Sequence, residues 1–118
     1  MPGKYNFKIY RGETLRRVFI YKDATETAVD LSGYSARLQV RAKIDDTDVL
    51  LSLTTDNGGI EIVPLEGKII LHATAAATTA MTWTEGVYDL ELYYMDGLVE
   101  DVTRLVEGRV STVKEVTR

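Results

Sequence analysis

The sequence predicts an all-β fold, an immunoglobulin-like antiparallel β-sandwich of about eight strands with one short helical turn. Two segments alternate strictly between apolar and polar residues, as half-buried strands do. In Gly86-Val87-Tyr88-Asp89-Leu90-Glu91-Leu92-Tyr93-Tyr94, the side chains of Tyr88, Leu90, Leu92 and Tyr94 share one face, and Asp89, Glu91 and Tyr93 share the other. From Ser35 to Lys43, Ala36, Leu38, Val40 and Ala42 point one way, and Arg37, Gln39, Arg41 and Lys43 the other. Turn signals recur every ten residues or so, the rhythm of a sandwich rather than of an α/β fold.

Taken in order, Lys4 to Tyr10 alternates loosely, with Tyr5, Phe7 and Ile9 on one side, and stops at Arg11-Gly12. Thr14 to Tyr21 carries Val18 and Ile20 on one face and Leu15, Phe19 and Tyr21 on the other. Apolar groups on both faces predict a strand covered on two sides, either by a second sheet or by a neighbouring subunit. Lys22 to Asp30 reads as a polar connection, and Asp30-Leu31-Ser32-Gly33 as a turn into the Ser35 strand. Asp45-Asp46-Thr47-Asp48 is an acidic turn before a short strand from Val49 to Leu53.

Asp56-Asn57-Gly58-Gly59 is the strongest hairpin signal in the chain, because Asn-Gly takes the positive φ values that two-residue turns demand. Ile60 and Ile62 precede a turn from Pro64 to Gly67, and Ile69 and Leu71 follow it. Pro64 has no amide donor and so belongs at a strand end or an edge. Ala73 to Met81, rich in alanine and threonine, is the expected helical turn, too short to hold without tertiary packing. Asp96-Gly97 closes a hairpin between the Tyr88 strand and a last strand running from Val102 to Val113, with Gly108 a candidate bulge. The expected core gathers Leu38, Val40, Tyr88, Leu90 and Leu92, with Trp83 plugging one end. Tyr88 also sits where immunoglobulin-like domains place a tyrosine corner, a hydroxyl bonded back to upstream backbone; an ordinary core tyrosine explains the same residue.

One domain spanning residues 1-118 is the expectation at this length. Such a chain buries about 65% of its unfolded surface and needs no staples. With no cysteine, it has no thiolate nucleophile, cysteine zinc site or disulfide scaffold. Fourteen basic against eighteen acidic residues give a net charge of −4, which argues against a nucleic-acid partner. No run approaches membrane-spanning length, and Met1 to Phe7 lacks the apolar core of a targeting signal, so a soluble chain without a membrane partner is expected.

Candidate chemistry is sparse. His72 is the single histidine and has no second imidazole for a metal site or a triad. Asp45, Asp46 and Asp48 lack the central glycine and bidentate glutamate of a calcium loop and read as a solvated turn. Asp89 and Glu91 lie two apart on one strand face, about 7 Å by strand rise, a spacing that invites comparison with glycosidase carboxylates, but neither an aromatic platform nor a concave site is expected around them. Arg37, Arg41 and Lys43 form a basic stripe, either solvated or facing the carboxylates of a neighbouring subunit. Tyr10, Tyr21, Tyr93 and Tyr94 are the aromatic contact candidates, each equally readable as a half-buried tyrosine.

Gly86 to Leu92, then Val102-Thr103-Arg104-Leu105-Val106-Glu107-Gly108-Arg109-Val110 and the terminal Glu115-Val116-Thr117-Arg118, resembles small virion proteins of tailed bacteriophages and prophages. These carry a β-sandwich similar to the amino-terminal domain of phage upper-baseplate proteins. Gly12-Glu13-Thr14, Asp30-Leu31-Ser32-Gly33-Tyr34 and Leu38-Gln39-Val40-Arg41 extend the resemblance, in the same order, over most of the chain. It implies a non-enzymatic tail, neck or baseplate adaptor without a cofactor. The partners would be other virion proteins, in several copies around a symmetry axis. The protein would reside in the virion after assembly in the bacterial host cytoplasm. Because the sequence ends soon after the sandwich, any receptor-binding domain would belong to another protein. A capsid decoration protein is the alternative reading, and a carbohydrate-binding sandwich a more remote one.

Overall fold

The computed structural model describes residues 3–114, in which nine strands form two sheets sharing one core. The larger sheet holds β1 (Gly3–Lys4), β2 (Phe7–Tyr10), β4 (Ser35–Arg41), β5 (Leu51–Thr54), β8 (Glu85–Asp96) and β9 (Val99–Val113). Its order is β1-β9-β8-β4-β5, with β2 following β1 along the same side of β9. The smaller sheet holds β3 (Leu15–Ile20), β6 (Ile60–Val63) and β7 (Lys68–Ala73) in the order β3-β7-β6. The result is an all-β sandwich, and its strand order matches the G-F-C-C′ and B-E-D orders of immunoglobulin domains.

Alternation places the core as expected. Leu38 and Val40 of β4 lie opposite Leu90 and Tyr88 of β8, and all four are buried together with Leu92. Leu15, Ile60, Ile69 and Leu71 meet them from the smaller sheet, while Phe7, Ile9 and Val110 close the β2–β9 side. Burying side chains of this size stabilises a fold by roughly 1.5–3 kcal/mol each. Trp83 is not among the fully buried residues: it lies on the link into β8, packs on the core from one side and keeps the other in solvent.

The larger sheet is mixed, not antiparallel throughout. β1 and β2 run parallel to β9, with Gly3 beside Val106 and Phe7 beside Val110. The chain breaks strand geometry between them at Tyr5 and Asn6, so the expected strand from Lys4 to Tyr10 is two strands. Gly108 makes this join possible, because a Cβ there would lie 2.1 Å from the Tyr5 carbonyl oxygen. Gly108 is therefore a close-approach glycine and not the bulge. The register of β8 against β9 shifts between Leu90 and Glu91, from Val106 to Arg104, leaving Leu105 as the extra residue. Tyr88 donates its hydroxyl to the Tyr5 carbonyl at 2.6 Å. That bond pins the amino-terminal strands to β8, whereas a tyrosine corner closes on backbone only a few residues away.

Asn57-Gly58 is a turn but not a hairpin, since β5 belongs to the larger sheet and β6 to the smaller. Asn57 Oδ1 accepts from the amides of Thr54 and Gly59, and its amide donates to the Ser52 carbonyl. These bonds and Gly58 at φ 81° shape a corner that crosses between sheets. The expected strand from Val49 starts at Leu51, and Ala42 lies past the end of β4, exposed. The helical turn is α1 (Ala75–Thr79), capped by the Thr74 hydroxyl accepting from the Ala77 amide. A second short turn, 3-10 in geometry, spans Pro64–Glu66, with proline at its start and Gly67 at φ 62° ending it. Of the segments that carry the resemblance, Glu115 to Arg118 lies outside the described residues.

Candidate interaction surfaces

The outer face of the larger sheet is a groove of about 960 Å³. Its floor follows from alternation, because residues between the buried ones of β4, β8 and β9 must face out. Arg37 of β4 places Nε 2.9 Å from Glu91 Oε1 and Nη2 2.9 Å from Glu100 Oε1, with its guanidinium 4.5 Å from the Tyr93 ring centre. Bonds to Glu100 first and Glu91 second raise the Arg37 pKa, so it is a fixed cation. Arg104 places Nε 3.4 Å from Asp89 Oδ2 and lies 4.0 Å from Glu107. Burial nevertheless raises the Asp89 carboxyl above its ordinary value, with Glu91 adding to the effect and Arg104 opposing it. A pair at 3.4 Å only partly offsets the lost hydration.

The sequence-derived contact residues divide in two. Arg37, Arg41 and Tyr93 belong to the groove face, but much of their bonding capacity is used within the chain: Arg41 donates to the Asp46 carbonyl and to Gln39 Oε1 at 2.9 Å. Lys43 is exposed beyond the end of β4. Tyr10 is exposed at the end of β2, whereas Tyr21 packs half-buried against the core. Tyr94 meets Tyr34 edge-on at 5.0 Å and donates to Asp101 Oδ2 at 3.1 Å. That hydrogen bond to a carboxylate is the main cause of its raised pKa.

Asp89 and Glu91 are thus ion-paired to arginines rather than aimed at a shared reacting centre. Among the described residues, no group of three or more His, Cys, Asp or Glu is placed to hold a metal. His72 is exposed on β7. No helix among the described residues is long and apolar enough to cross a membrane.

Two further surfaces stand out, the first of which escaped the sequence reading. β8 and β9 outrun the rest of their sheet: past the Ser35–Tyr93 pair their strand pairing is only with each other, through Tyr94–Asp101, Met95–Glu100 and Asp96–Val99, while Arg37 and Tyr34 brace the base from outside through Glu100 and Tyr94. Gly97, at φ 66°, takes the first central position of the closing turn, where a type II′ turn favours glycine. This arm exposes Met95, Leu98, Val99 and Val102, with Leu98 99% exposed. The second surface is the outer face of the smaller sheet, where Val18 and Ile20 of β3 are uncovered and Ile70 of β7 lies opposite Val18. The chain therefore supplies one of the two covers expected for β3. Leu98 and Val99 follow a glycine turn and break no periodicity, so sequence alone shows a hairpin tip without showing that it projects.

No protein-family model matches the chain, and no curated protein matches its sequence. Among solved structures, the N-terminal domain of phage TP901-1 ORF48 superposes on 95% of this chain and 89% of its own length, with a TM-score of 0.55 at 7% identity. The fold is similar to that of a phage protein domain. At this identity the likeness is one of architecture, and the residues of the groove and the arm must be read on their own chemistry.

Proposed function

We propose that this protein is a non-enzymatic structural component of a tailed bacteriophage particle, an adaptor in the tail, neck or baseplate that binds neighbouring virion subunits. The observation that carries the reading is the fold likeness to a phage protein domain over nearly the whole of both chains. The surfaces support it. Asp89 and Glu91 are paired with arginines, and of the apolar side chains left in solvent Met95, Leu98, Val99 and Val102 lie on the arm and Val18 and Ile20 on the sheet face, with Tyr5, Tyr10, Ile44, Val49 and Leu65 exposed elsewhere. The protein resides in the virion after assembly in the host cytoplasm and is present in several copies around a symmetry axis. Tyr10 and Lys43, both exposed, add contacts at the margins.

Purified particles of the encoding phage provide the test. The chain is expected among their proteins by mass spectrometry, and the immobilised chain is expected to retain a tail, neck or baseplate protein from dissociated particles. Retention of the capsid protein alone would assign it to capsid decoration instead. Absence from the particle would overturn the reading.

A further inference from the structure

We propose that the β8–β9 arm of one copy docks on the outer face of the β3-β7-β6 sheet of a second copy, in a head-to-tail contact. The inference deepens the adaptor reading and rests on it for its setting, a repeating assembly; the contact itself is argued from the two surfaces. A two-stranded ribbon is marginal in water, and this one, braced at its base by Arg37 on Glu100 and Tyr34 on Tyr94, reaches roughly 10 Å past its sheet at 3.4 Å per residue. Its tip nonetheless carries Met95, Leu98 and Val99, exposed by 58%, 99% and 68%. Such residues gain most by being covered. The face offers two exposed apolar side chains, Val18 and Ile20, with Ile70 already buried between its neighbours opposite Val18.

Charge selects the pairing. From Tyr94 to Val102 the arm has Asp96, Glu100 and Asp101 and no cation. Glu100 is held by Arg37 and Asp101 accepts from Tyr94, which leaves Asp96 at the turn with no ion pair among the described residues. On the face, Arg16 flanks Val18 and makes no ion pair among the described residues, and Lys68 lies opposite Ile20, with Glu66 as its partner at 3.2 Å. Glu61, opposite Ile70 on β6, is the one acid within the sheet's outward row, so the positive side is the β3 edge. An acidic apolar tip and a basic apolar face on different parts of one molecule make a heterologous pair. Each copy then offers one arm and one face, and repetition closes a ring when the rotation allows.

Sedimentation velocity on the wild-type chain and on three variants tests this contact. Leu98→Asp removes the arm's apolar tip, and Ile20→Glu sets an acid in the face. Both positions are exposed, and Arg16→Glu provides a second face variant that leaves every apolar residue in place. The wild type is expected to self-associate with rising concentration, and each variant to lose that association. Mixing the arm variant with a face variant is expected to give one-to-one dimers, because each mixture retains one intact arm and one intact face. A wild type that stays monomeric, variants that associate as it does, or a mixture that stays monomeric would each overturn the contact. Retention of virion proteins is read on the same samples. A monomeric chain that retains them contradicts the contact and leaves the adaptor reading standing; an associating chain with the expected variant behaviour that retains none supports the contact and removes the adaptor reading.

Discussion

Gly108 and Asp89 show how single side chains, or the lack of one, set the geometry of the groove. With no Cβ at 108, the Tyr5 carbonyl can enter, receive the Tyr88 hydroxyl and bring Asn6 to accept from the Arg109 amide at 2.9 Å. Gly108→Ala forces that backbone away and is expected to lower stability by about 1–3 kcal/mol. Denaturant unfolding measures the loss, and hydrogen exchange at Tyr5 and Arg109 should show the amino-terminal strands loosening first. Asp89 acts in the opposite sense, since its raised pKa means that the folded chain holds a proton that the unfolded chain has released. Stability attributable to this group is highest below the unfolded pKa of about 3.9 and declines as pH rises through the window up to the folded value. Asp89→Asn is expected to flatten stability against pH across that window. An unchanged slope would mean that Arg104 neutralises the burial cost in full.

Elements are joined in this protein by a few polar residues that alternation does not reveal. Thr78 of α1 is fully buried; its hydroxyl donates to the Glu13 carbonyl at 2.8 Å and accepts from the Gly12 amide at 3.1 Å. The α1 turn is thereby tied to the β2–β3 loop. Thr78→Val keeps the shape and strands both backbone groups, at an expected cost of about 1–3 kcal/mol in chemical denaturation. A near-neutral result would mean that the loop finds water or other partners. Alternation did reveal β4 and β8, because one buried and one charged face repeat every second residue and admit one placement. Asn57-Gly58 misled for a physical reason: turn residues report that the chain reverses, while the sheet joined by the next strand depends on tertiary packing. The parallel pairing of β2 with β9 joins the two ends of the chain, and no local pattern encodes it. Ile20 and Val18 were legible as apolar on a second face, and this chain leaves both exposed.

At the scale of the whole molecule, a body of 45 × 29 × 25 Å presents a paired-charge groove on one sheet, an uncovered apolar face on the other and an arm past the sandwich. Basic residues paired within the chain make the groove a weak guide to partners. The exposed arm and face are stronger guides, because apolar surface is costly to leave in water. The sequence anticipated the sandwich and a phage-like architecture; it could not show the projecting arm, since that depends on which strands outrun their neighbours. The most direct test of the central claim is a low-resolution map of the native particle. The account predicts that this sandwich fits repeated density in the tail, neck or baseplate, with the arm and the smaller sheet at contacts between subunits. A map that accounts for every tail, neck and baseplate density without this chain would contradict it.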